Sequence, residues 1–412
     1  MMTKDNGRPG LTRLLEMHEL AVEAGRRYPK HRDLFGRVRL AKGKHFTGIV
    51  GPRGVGKTIL LKQLAAAEAD SFYLSVDVLD PDTDLFDLMR KLAERLKFRT
   101  FLLDEIHFLG SSAGLLKQIS DFLDVRVVFT SSVALAMHAF AHDLSRRVRL
   151  VELRFFSYRE YLRFVTGVEL PALGLPALAV QAWSPEHLRA GPRFDDYLRG
   201  GLLPFALEEP DPLPLLSATL EKVIDRDAPR VLRLTVDELQ TLRRLVRFVG
   251  RSTVDGVNYS SLSQNLGITK YKAEHYVNCL ESAFILRQVL PAGTNVLREP
   301  KVLMVPPYRL LYREYEDAIG GLREDFAVEA LGQAGLTVHY LKSMRGAKTP
   351  DYLIETGGER VVVEIGGQGK GRTQFKGVTA DRKLVLAHTN VPEQNVIPLC
   401  MLGFLEPVSG QR

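Results

Sequence analysis

The amino-acid sequence predicts an α/β protein of several domains, on three observations. A short apolar strand runs through a glycine-rich loop into a helix at residues 46–63. Apolar strands and helical segments then alternate up to about residue 165, beginning with a strand predicted at 72–78 and a helix predicted at 82–97. From residue 235 onward the pattern changes to amphipathic helices followed by β-branched strands. Alternation of strand and helix is typical of a parallel, doubly wound sheet. At roughly 150 residues per domain, the 412 residues correspond to about three domains.

The composition narrows the class of protein. Apolar residues make up 45% of the chain and charged residues 25%, as in an average globular protein, which argues against a disordered or fibrous chain. Two cysteines, Cys279 and Cys400, cannot build a disulfide framework and favour a reducing, cytoplasmic location. No long apolar stretch or secretory signal is present, so no membrane association is expected. The net charge of +7 permits nucleic-acid binding without establishing it.

The strongest local signal lies in the segment 46–63. The sequence FTGIV is typical of a buried strand, and it leads into GPRGVGKT at 51–58 and then into a helical pattern. Strand, G-x-x-x-x-G-K-T and helix together predict a loop that binds the phosphates of ATP, although a glycine-rich turn can fit the pattern by chance. Glycines allow the backbone N–H groups to converge on phosphate, and the helix points its positive end at the same anion.

Each residue of this loop has an expected role in binding ATP and Mg²⁺. Lys57 is expected to reach the β- and γ-phosphates, and Thr58 to hold Mg²⁺. The nucleotide is expected to contact the whole run of Gly51, Pro52, Arg53, Gly54, Val55, Gly56, Lys57, Thr58 and Ile59.

An acidic pair follows at the end of the apolar strand predicted over residues 100–107. The carboxyl ends of strands in a doubly wound sheet face the ligand crevice. Asp104 is therefore expected to hold Mg²⁺, directly or through water, and Glu105 to polarise the water that attacks the γ-phosphate. An exposed turn at the strand end is the alternative. His107 either couples the site to a partner or is a surface or packing histidine.

Two further candidates follow the acidic pair. A strand at 125–130 ends at Ser131, which is expected to contact the γ-phosphate or the attacking water; a helix N-cap is the alternative. Arginines then recur between 146 and 163 and mostly form a solvated basic face. One of them, near Arg146 or Arg147, could act as a finger on a neighbouring subunit's nucleotide.

Several segments resemble the bacterial and archaeal AAA+ superfamily ATPases that end in a nuclease-like domain of unknown function: GPRGVGKT, FLLDEIH, FTSS, SRRVRLVELRFFSYREYL and YLRGGLLPFAL. Arg146 stands where that family usually has glycine, so Arg147 matches the finger-like position. The resemblance implies an AAA+ core at 1–154 and a small helical lid at 155–230. We also expect a homo-oligomer, such as a hexameric ring.

The lid region is rich in proline and glycine between residues 170 and 216, which predicts short helices separated by turns. Arg193 or Arg199 is either a sensor of bound nucleotide or a structural arginine.

A winged helix–turn–helix is predicted over 231–318. It comprises an amphipathic helix at 235–250, a short helix capped by Ser260 or Ser261, a second helix that begins at Thr269, and a possible wing at 300–312. Near the start of the second helix, three side chains are expected to contact DNA: Lys270 and Lys272 through phosphates, Tyr271 by stacking or hydrogen bonding. A winged helix that contacts only protein is the alternative.

Residues 319–412 resemble the metal-dependent nuclease fold with the signature Pro-Asp, spacer, Glu-x-Lys. A helix predicted at 323–334 carries Glu329. The resemblance implies that Asp351, Glu364 and Glu329 bind a metal that activates water. The lysine of the signature is replaced by Gly366, and Lys370 or Lys348 could substitute for it in space. The alternative is a degenerate domain kept for DNA contact or assembly, with a basic loop at 366–377.

These expectations lead to three functional hypotheses. The first is an ATP-hydrolysing motor that translocates on or remodels duplex or branched DNA, including Holliday-junction branch migration, because those motors share the order of core, lid and winged helix. The second is a nucleotide-driven switch in defence or signalling, with the winged helix binding protein. The third is an ATP-gated DNA nuclease.

Overall fold

The structure is a computed structural model. It describes residues 10–41, 43, 45–80, 83–109, 112–131, 146–229, 234–252, 256–293, 299–341, 349–367, 375, 378–391, 393 and 396–407. The chain forms two compact units, Met1–Arg154 and Phe155–Arg412. Within the described residues, every helix is too short or too polar to cross a membrane.

The first unit is built on a parallel five-stranded sheet, which confirms the predicted α/β class. The strands are β1 (Phe46–Val50), β2 (Ser71–Ser75), β3 (Thr100–Asp104), β4 (Arg126–Ser131) and β5 (Val148–Glu152). The helices of the unit are α1 (Leu11–Arg26), α2 (Asp33–Arg39), α3 (Lys57–Ala67), α4 (Leu85–Arg95) and α5 (Ser112–Phe122). Strands β1 and β3 are buried throughout, as expected for a sheet covered by helices on both faces.

The order of the strands positions the candidate site. It runs β2-β3-β4-β1-β5, so that β4 lies between β1 and β3. Because the strands are parallel, the glycine-rich loop after β1, the end of β4 and the acidic end of β3 meet at one edge of the sheet.

Three element boundaries in this unit differ from the prediction. The strand expected at 72–78 ends at Ser75 and continues as a 3₁₀ turn. Helix α4 is shorter than the predicted 82–97, because the Asp84 side chain caps it by accepting a hydrogen bond from Asp87 N. Strand β3 stops at Asp104, because Glu105 adopts a left-handed conformation with φ of 56° and a 3₁₀ turn follows.

The second unit begins with the short helices that the proline- and glycine-rich composition predicted. They are α6 (Tyr158–Thr166), α7 (Leu175–Ala179), α8 (Pro185–Ala190) and α9 (Leu213–Lys222), with further short helical turns at 191–207 and 223–227. Phe194 of this region packs edge-on against Phe326 at 4.8 Å between ring centroids, so these helices share a core with the later part of the unit.

Three helices and a β-hairpin follow. They are α10 (Val236–Arg251), α11 (Tyr259–Leu266) and α12 (Lys270–Ser282), then the antiparallel strands β6 (Leu286–Pro291) and β7 (Lys301–Met304). Thr269 caps α12 as predicted, but α11 is capped by Asn258 and not by Ser260 or Ser261. The Asn258 side chain accepts from Ser261 N at 2.8 Å, which places Ser261 inside the first turn.

The remaining elements extend the hairpin into a larger sheet. Helix α13 (Tyr315–Gln333) starts eight residues before the predicted 323 and is followed by β8 (Thr337–Tyr340), β9 (Tyr352–Thr356), β10 (Glu359–Gly366), β11 (Arg382–Ala387) and β12 (Val396–Pro398). The order is β12-β11-β10-β9-β8-β6-β7. Strands β6 and β8 pair in parallel, so one sheet runs across the predicted boundary at 318.

Candidate nucleotide site

The loop after β1 is shaped by glycines. A Cβ at Gly51 would lie 1.9 Å from the backbone oxygen of Leu153, so no side chain fits there. Gly56 has a φ of 89°, a conformation that favours glycine, and helix α3 begins at the next residue. The loop therefore turns directly into a helix N-terminus, whose N–H groups and dipole favour an anion. Thr58 and Ile59 lie half-buried in the first turn of α3.

Lys57 is held within the loop. Its side chain is buried, and Nζ donates at 2.8 Å to both the Gly51 and Pro52 carbonyl oxygens. A buried ammonium requires such acceptors. The same three donors can serve phosphate oxygens, because the ammonium is a compact charge with rotatable N–H groups.

The acidic pair is organised by Thr130, near the end of β4. The Thr130 hydroxyl donates to Asp104 Oδ1, and its oxygen accepts from Glu105 N at 2.9 Å. Asp104 is buried, and its Oδ2 accepts from the Tyr73 hydroxyl at 2.9 Å. Each carboxylate oxygen keeps a further lone pair, so Asp104 can still accept from a metal-bound water.

Glu105 lies beside His107 and Ser131. His107 Nδ1 is 3.1 Å from Glu105 Oε2 and 3.4 Å from Ser131 Oγ. Burial alone would raise the pKa of Glu105, but the hydrogen bond from His107 and the charges of Lys57, His107 and Arg53 outweigh it and lower the pKa to about 2. The carboxylate is therefore ionised at neutral pH and can orient a water molecule. His107, only 5% exposed at its side chain, belongs to this cluster.

Sequence reasoning missed three residues of the site. Thr130 ends the strand predicted at 125–130, but only the following Ser131 was expected to contact the nucleotide. The polar end of an apolar strand was the signal that could have included Thr130. Tyr73 sits mid-strand and gave no signal. Buried Arg32 donates to Val55 O and to Arg154 O, both at 2.9 Å, and so supports the loop from a position distant in the sequence. Ser132 lies outside the described residues.

The structure does not bring Arg147 to this edge of its own sheet. Arg147 immediately precedes β5, and its backbone oxygen accepts from Phe46 N at 2.7 Å at the amino end of β1. Its guanidinium donates to Asp121 Oδ1, with the shorter contact at 2.8 Å. A five-residue strand, about 16 Å long, separates this end from the glycine-rich loop.

The predicted DNA-contacting residues lie at the start of α12. Lys270 pairs with Glu299, and Lys272 Nζ lies 3.0 Å from Glu238 Oε1. Tyr271 is 74% exposed and its ring stacks parallel to that of His275. Each of the two lysines is thus paired with a glutamate of the same chain. The rings of Tyr271 and His275 are therefore the part of this surface that is more readily available to a partner.

The predicted nuclease residues are only partly brought together. Asp351 precedes β9 and its Oδ2 accepts from Ile365 N at 2.7 Å, and the antiparallel register places buried Glu364 of β10 opposite it. Glu329 instead pairs with Arg287 at 2.9 Å. The described part of the chain holds no group of three His, Cys, Asp or Glu side chains arranged for a metal. Lys348 and Lys370 lie outside it.

Comparison with known families assigns the first unit. Residues 43–162 match a family model described as an AAA domain, and residues 192–305 match a domain of unknown function (DUF8612). Each match covers less than half of the chain. The first unit therefore has the fold of an AAA+ ATPase domain, as the resemblance implied. No curated protein matches the chain.

Three solved structures are similar at low level. A structure on katanin self-assembly is 18% identical with a TM-score of 0.25, over 48% of this chain and 71% of that one. Aeropyrum pernix ORC1 in complex with DNA is 14% identical with a TM-score of 0.28, over 77% and 92%. C. elegans PCH-2 is 19% identical with a TM-score of 0.25, over 65% and 66%. Similarity at this level carries no argument about the partners of this chain.

Proposed function

We propose that the chain hydrolyses ATP at the carboxyl edge of its five-stranded sheet. The observation that carries the proposal is the hydroxyl of Thr130, which links Asp104 to the backbone of Glu105 beside a buried Lys57. The loop offers positive groups to the phosphates, and the strand ends offer carboxylates to a metal and a water. This combination suits transfer of a phosphoryl group to water.

The residues divide the work by their chemistry. The backbone of Gly51–Ile59 would hold the phosphates of ATP, with Lys57 neutralising their charge. Thr58 and Asp104 are the oxygen ligands that fit Mg²⁺, which would neutralise charge on the phosphates. Glu105 would accept a hydrogen bond from the attacking water and orient it. Ser131 would contact the γ-phosphate or that water.

Two substitutions test this proposal. Lys57→Ala should abolish ATP binding, because the phosphates lose their principal cation. Glu105→Gln should keep ATP binding but slow turnover by at least about 100-fold, since only the orientation of water is lost. Binding is measured with a fluorescent ATP analogue and turnover by phosphate release. Lys91→Ala, at an exposed lysine of α4 paired with Asp87, is the matched control. Normal hydrolysis by Glu105→Gln would sink the assignment.

DNA is our proposed partner for this ATPase. The supporting observation is Tyr271, three-quarters exposed in the first turn of α12, which is the end that a helix–turn–helix presents to a DNA groove. A motor that acts on duplex or branched DNA would use ATP turnover at the first unit to move along or remodel it. The rival is a switch in which the same surface binds protein.

Turnover measured with and without DNA separates these two functions. The motor predicts ATP hydrolysis that rises with single-stranded, duplex or four-way DNA and that differs among them, with assembly size measured in parallel. If DNA neither binds in moderate salt nor changes turnover, the DNA proposal fails while the ATPase proposal stands. Cleavage that requires Mg²⁺ or Mn²⁺ and is lost in Asp351→Ala would support the predicted nuclease instead.

A further inference from the structure

An arginine-lined cleft lies between α10 and α11. It has a volume of about 700 Å³, and Arg244, Arg247 and Arg251 of α10 form one wall. Ser261 and Asn265 of α11 lie across from them. All three arginines are exposed, and among the described residues that line the cleft none is an aspartate or a glutamate.

The spacing of these arginines makes a row. Residues three, four and seven apart lie on the same face of a helix, and a helix rises about 1.5 Å per residue. Arg244 and Arg251 are therefore about 10 Å apart along α10, with Arg247 between them. A second cleft shares Arg251 with the first and is also lined by Arg313, which there stands beside the carboxylates of Glu314 and Asp317. We call Arg244, Arg247, Arg251 and Arg313 the arginine band.

The band arginines differ in their ion pairs from Arg243, a neighbouring arginine of α10. Arg243, on the same helix, donates to Glu221 Oε2 at 2.9 Å and also pairs with Asp225. None of the four band arginines has such an ion pair among the residues described by the structure. Arg251 lies in the last turn of α10, where the helix dipole alone favours a cation, but Arg244 and Arg247 lie before that turn.

The helix that carries the band is firmly held. Arg309 pairs with fully buried Asp325 of α13 at 2.6 Å, and it also donates to carbonyl oxygens in the last turn of α10, at Val249 and Gly250. At Gly250 the α10 backbone also packs directly against the Tyr312 ring, where a Cβ would come within 2.3 Å. The guanidinium groups are therefore presented from a rigid backbone, which lowers the entropy lost on binding.

We infer that the arginine band is a binding surface for the phosphate backbone of a nucleic acid. Guanidinium groups bind phosphate oxygens through two parallel N–H donors, and a regular row of them suits a polymer with regularly spaced charges. The Asn265 amide uses one N–H to donate to the Ser261 carbonyl at 2.8 Å and has a second N–H that can donate to a phosphate oxygen. A protein partner would need a pocket that takes an aromatic or aliphatic anchor. Val257 and Leu266 of this cleft are buried in the chain itself, and half-buried Phe248 is flanked in sequence by the arginines of the band.

This inference rests on the proposed action on DNA and moves its main contact from α12 to α10. The test is binding of a fluorescein-labelled duplex of about 20 base pairs to the full chain, followed by anisotropy between 50 and 200 mM salt. The band variant is Arg244→Gln with Arg247→Gln and Arg251→Gln. Arg243→Gln is the control on the same helix, and Lys270→Gln with Lys272→Gln tests the start of α12. Circular dichroism and basal ATP turnover verify that each variant folds.

Loss of three phosphate contacts should lower the salt slope of the binding constant by about 2.7. The fall in affinity between 50 and 200 mM salt should then be about 40-fold smaller than for the parent chain. Binding by the band variant should be at least about tenfold weaker at 50 mM salt, with Arg243→Gln unchanged.

Three outcomes overturn the inference, and they differ in what else they affect. If the band variant binds like the parent chain while the α12 variant does not, DNA binding stands and the band is excluded. If the parent chain binds no DNA, the DNA proposal fails as well. If polyglutamate binds the parent chain as tightly as DNA does and the band variant loses both, the band is a site for acidic protein.

Discussion

A single hydroxyl, that of Thr130, connects the two acids of the site. Thr130→Val keeps the shape of the side chain but removes a donor to buried Asp104 and leaves Glu105 N without its acceptor. Each buried polar group that loses its partner costs about 1–3 kcal/mol. We expect the free energy of unfolding in urea to fall by about 2 kcal/mol, and turnover to fall more than ATP affinity does.

The matched control for this change is Thr47→Val, in the buried and adjacent strand β1. It alters the same atoms without touching the acidic pair, and turnover should remain close to that of the parent chain. Equal turnover in Thr130→Val and Thr47→Val would show that the Thr130 hydroxyl does not position the acids.

At the residue scale, positions can be predicted where a sequence motif implies a particular chemistry. Lys57, Asp104 and Glu105 follow from a loop pattern and an acidic strand end, and the structure brings them to the same sheet edge. Arg32 and Tyr73 could not be predicted, because their roles depend on which distant backbone or carboxylate they reach after folding. The left-handed conformation of Glu105 likewise has no sequence signal, since glycine or asparagine is the usual residue there.

Among the structural elements, the loop after β1 depends most strongly on one glycine. Gly51→Ala would force a Cβ to within 1.9 Å of the Leu153 oxygen, so the loop or the chain after β5 must shift. We expect unfolding to be easier by at least about 2 kcal/mol and ATP binding to be lost. Thermal denaturation and binding of a fluorescent ATP analogue measure the two effects.

Gly36→Ala supplies the control for the loop substitution. Gly36 lies within helix α2, and nothing stands within 4 Å of its Cβ position. Alanine is the better helix former, so stability should rise by up to about 1 kcal/mol with ATP binding unchanged. A Gly51→Ala protein that is as stable as Gly36→Ala would contradict the close approach of Leu153.

Hydrogen bonds to Glu238, in the first turn of α10, should make the stability of the fold depend on pH in the acidic range. Glu238 accepts from Thr235 N at 3.1 Å, from Lys272 Nζ at 3.0 Å and from the Tyr276 hydroxyl at 3.1 Å. These bonds, led by that from Thr235, lower the pKa of Glu238 to about 2. A lowered pKa in the folded state means that the stabilisation is complete above the ordinary value of 4.5 and is lost as the pH falls towards 2.

Glu238→Gln tests this dependence. The gap in melting temperature between the parent chain and Glu238→Gln should be constant above about pH 6 and should narrow between about pH 4.5 and 2. Glu274→Gln, at an exposed position of α12, gives the background for removing one carboxylate. A gap that widens in acid would show that the bonds to Thr235 and Lys272 do not hold the ionised form.

The same helices show which features of a structural element can be predicted from the sequence and which cannot. The sequence pattern placed both ends of α10 and the start of α12 to within a residue. Thr269 was named as a cap because a threonine before a helix accepts from its first turn. The choice between Asn258 and the following serines could not be made, since all of them are good capping residues. The pairing of β6 with β8 is long-range, and no local pattern predicts it.

For the whole molecule, the placement of Arg147 decides how a finger could work. Arg147 lies at the amino end of β5, whereas the glycine-rich loop lies at the carboxyl end of β1, about one strand length away. An arginine finger at this position must therefore act on a neighbouring subunit, as the AAA+ resemblance implied. Its ion pair with Asp121 is partly exposed, with side chains 30% and 36% accessible to solvent. A solvent-accessible pair contributes little to stability, so the guanidinium can exchange Asp121 for a phosphate.

Mixing two inactive variants tests action between subunits. Arg147→Ala keeps its water-orienting Glu105 but offers no finger, whereas Glu105→Gln offers a finger but cannot orient water. In a mixed assembly, the site of an Arg147→Ala subunit receives Arg147 from its Glu105→Gln neighbour, and phosphate release should recover to a fraction of the parent rate. A chain that carries both substitutions must not rescue Arg147→Ala, and Arg146→Ala alone should turn over normally. Two results would contradict this role: ATP hydrolysis by Arg147→Ala at the parent rate, or a mixture that forms the assembly but stays inactive. In either case Arg147 is not a finger, and its charge only adds to the basic surface.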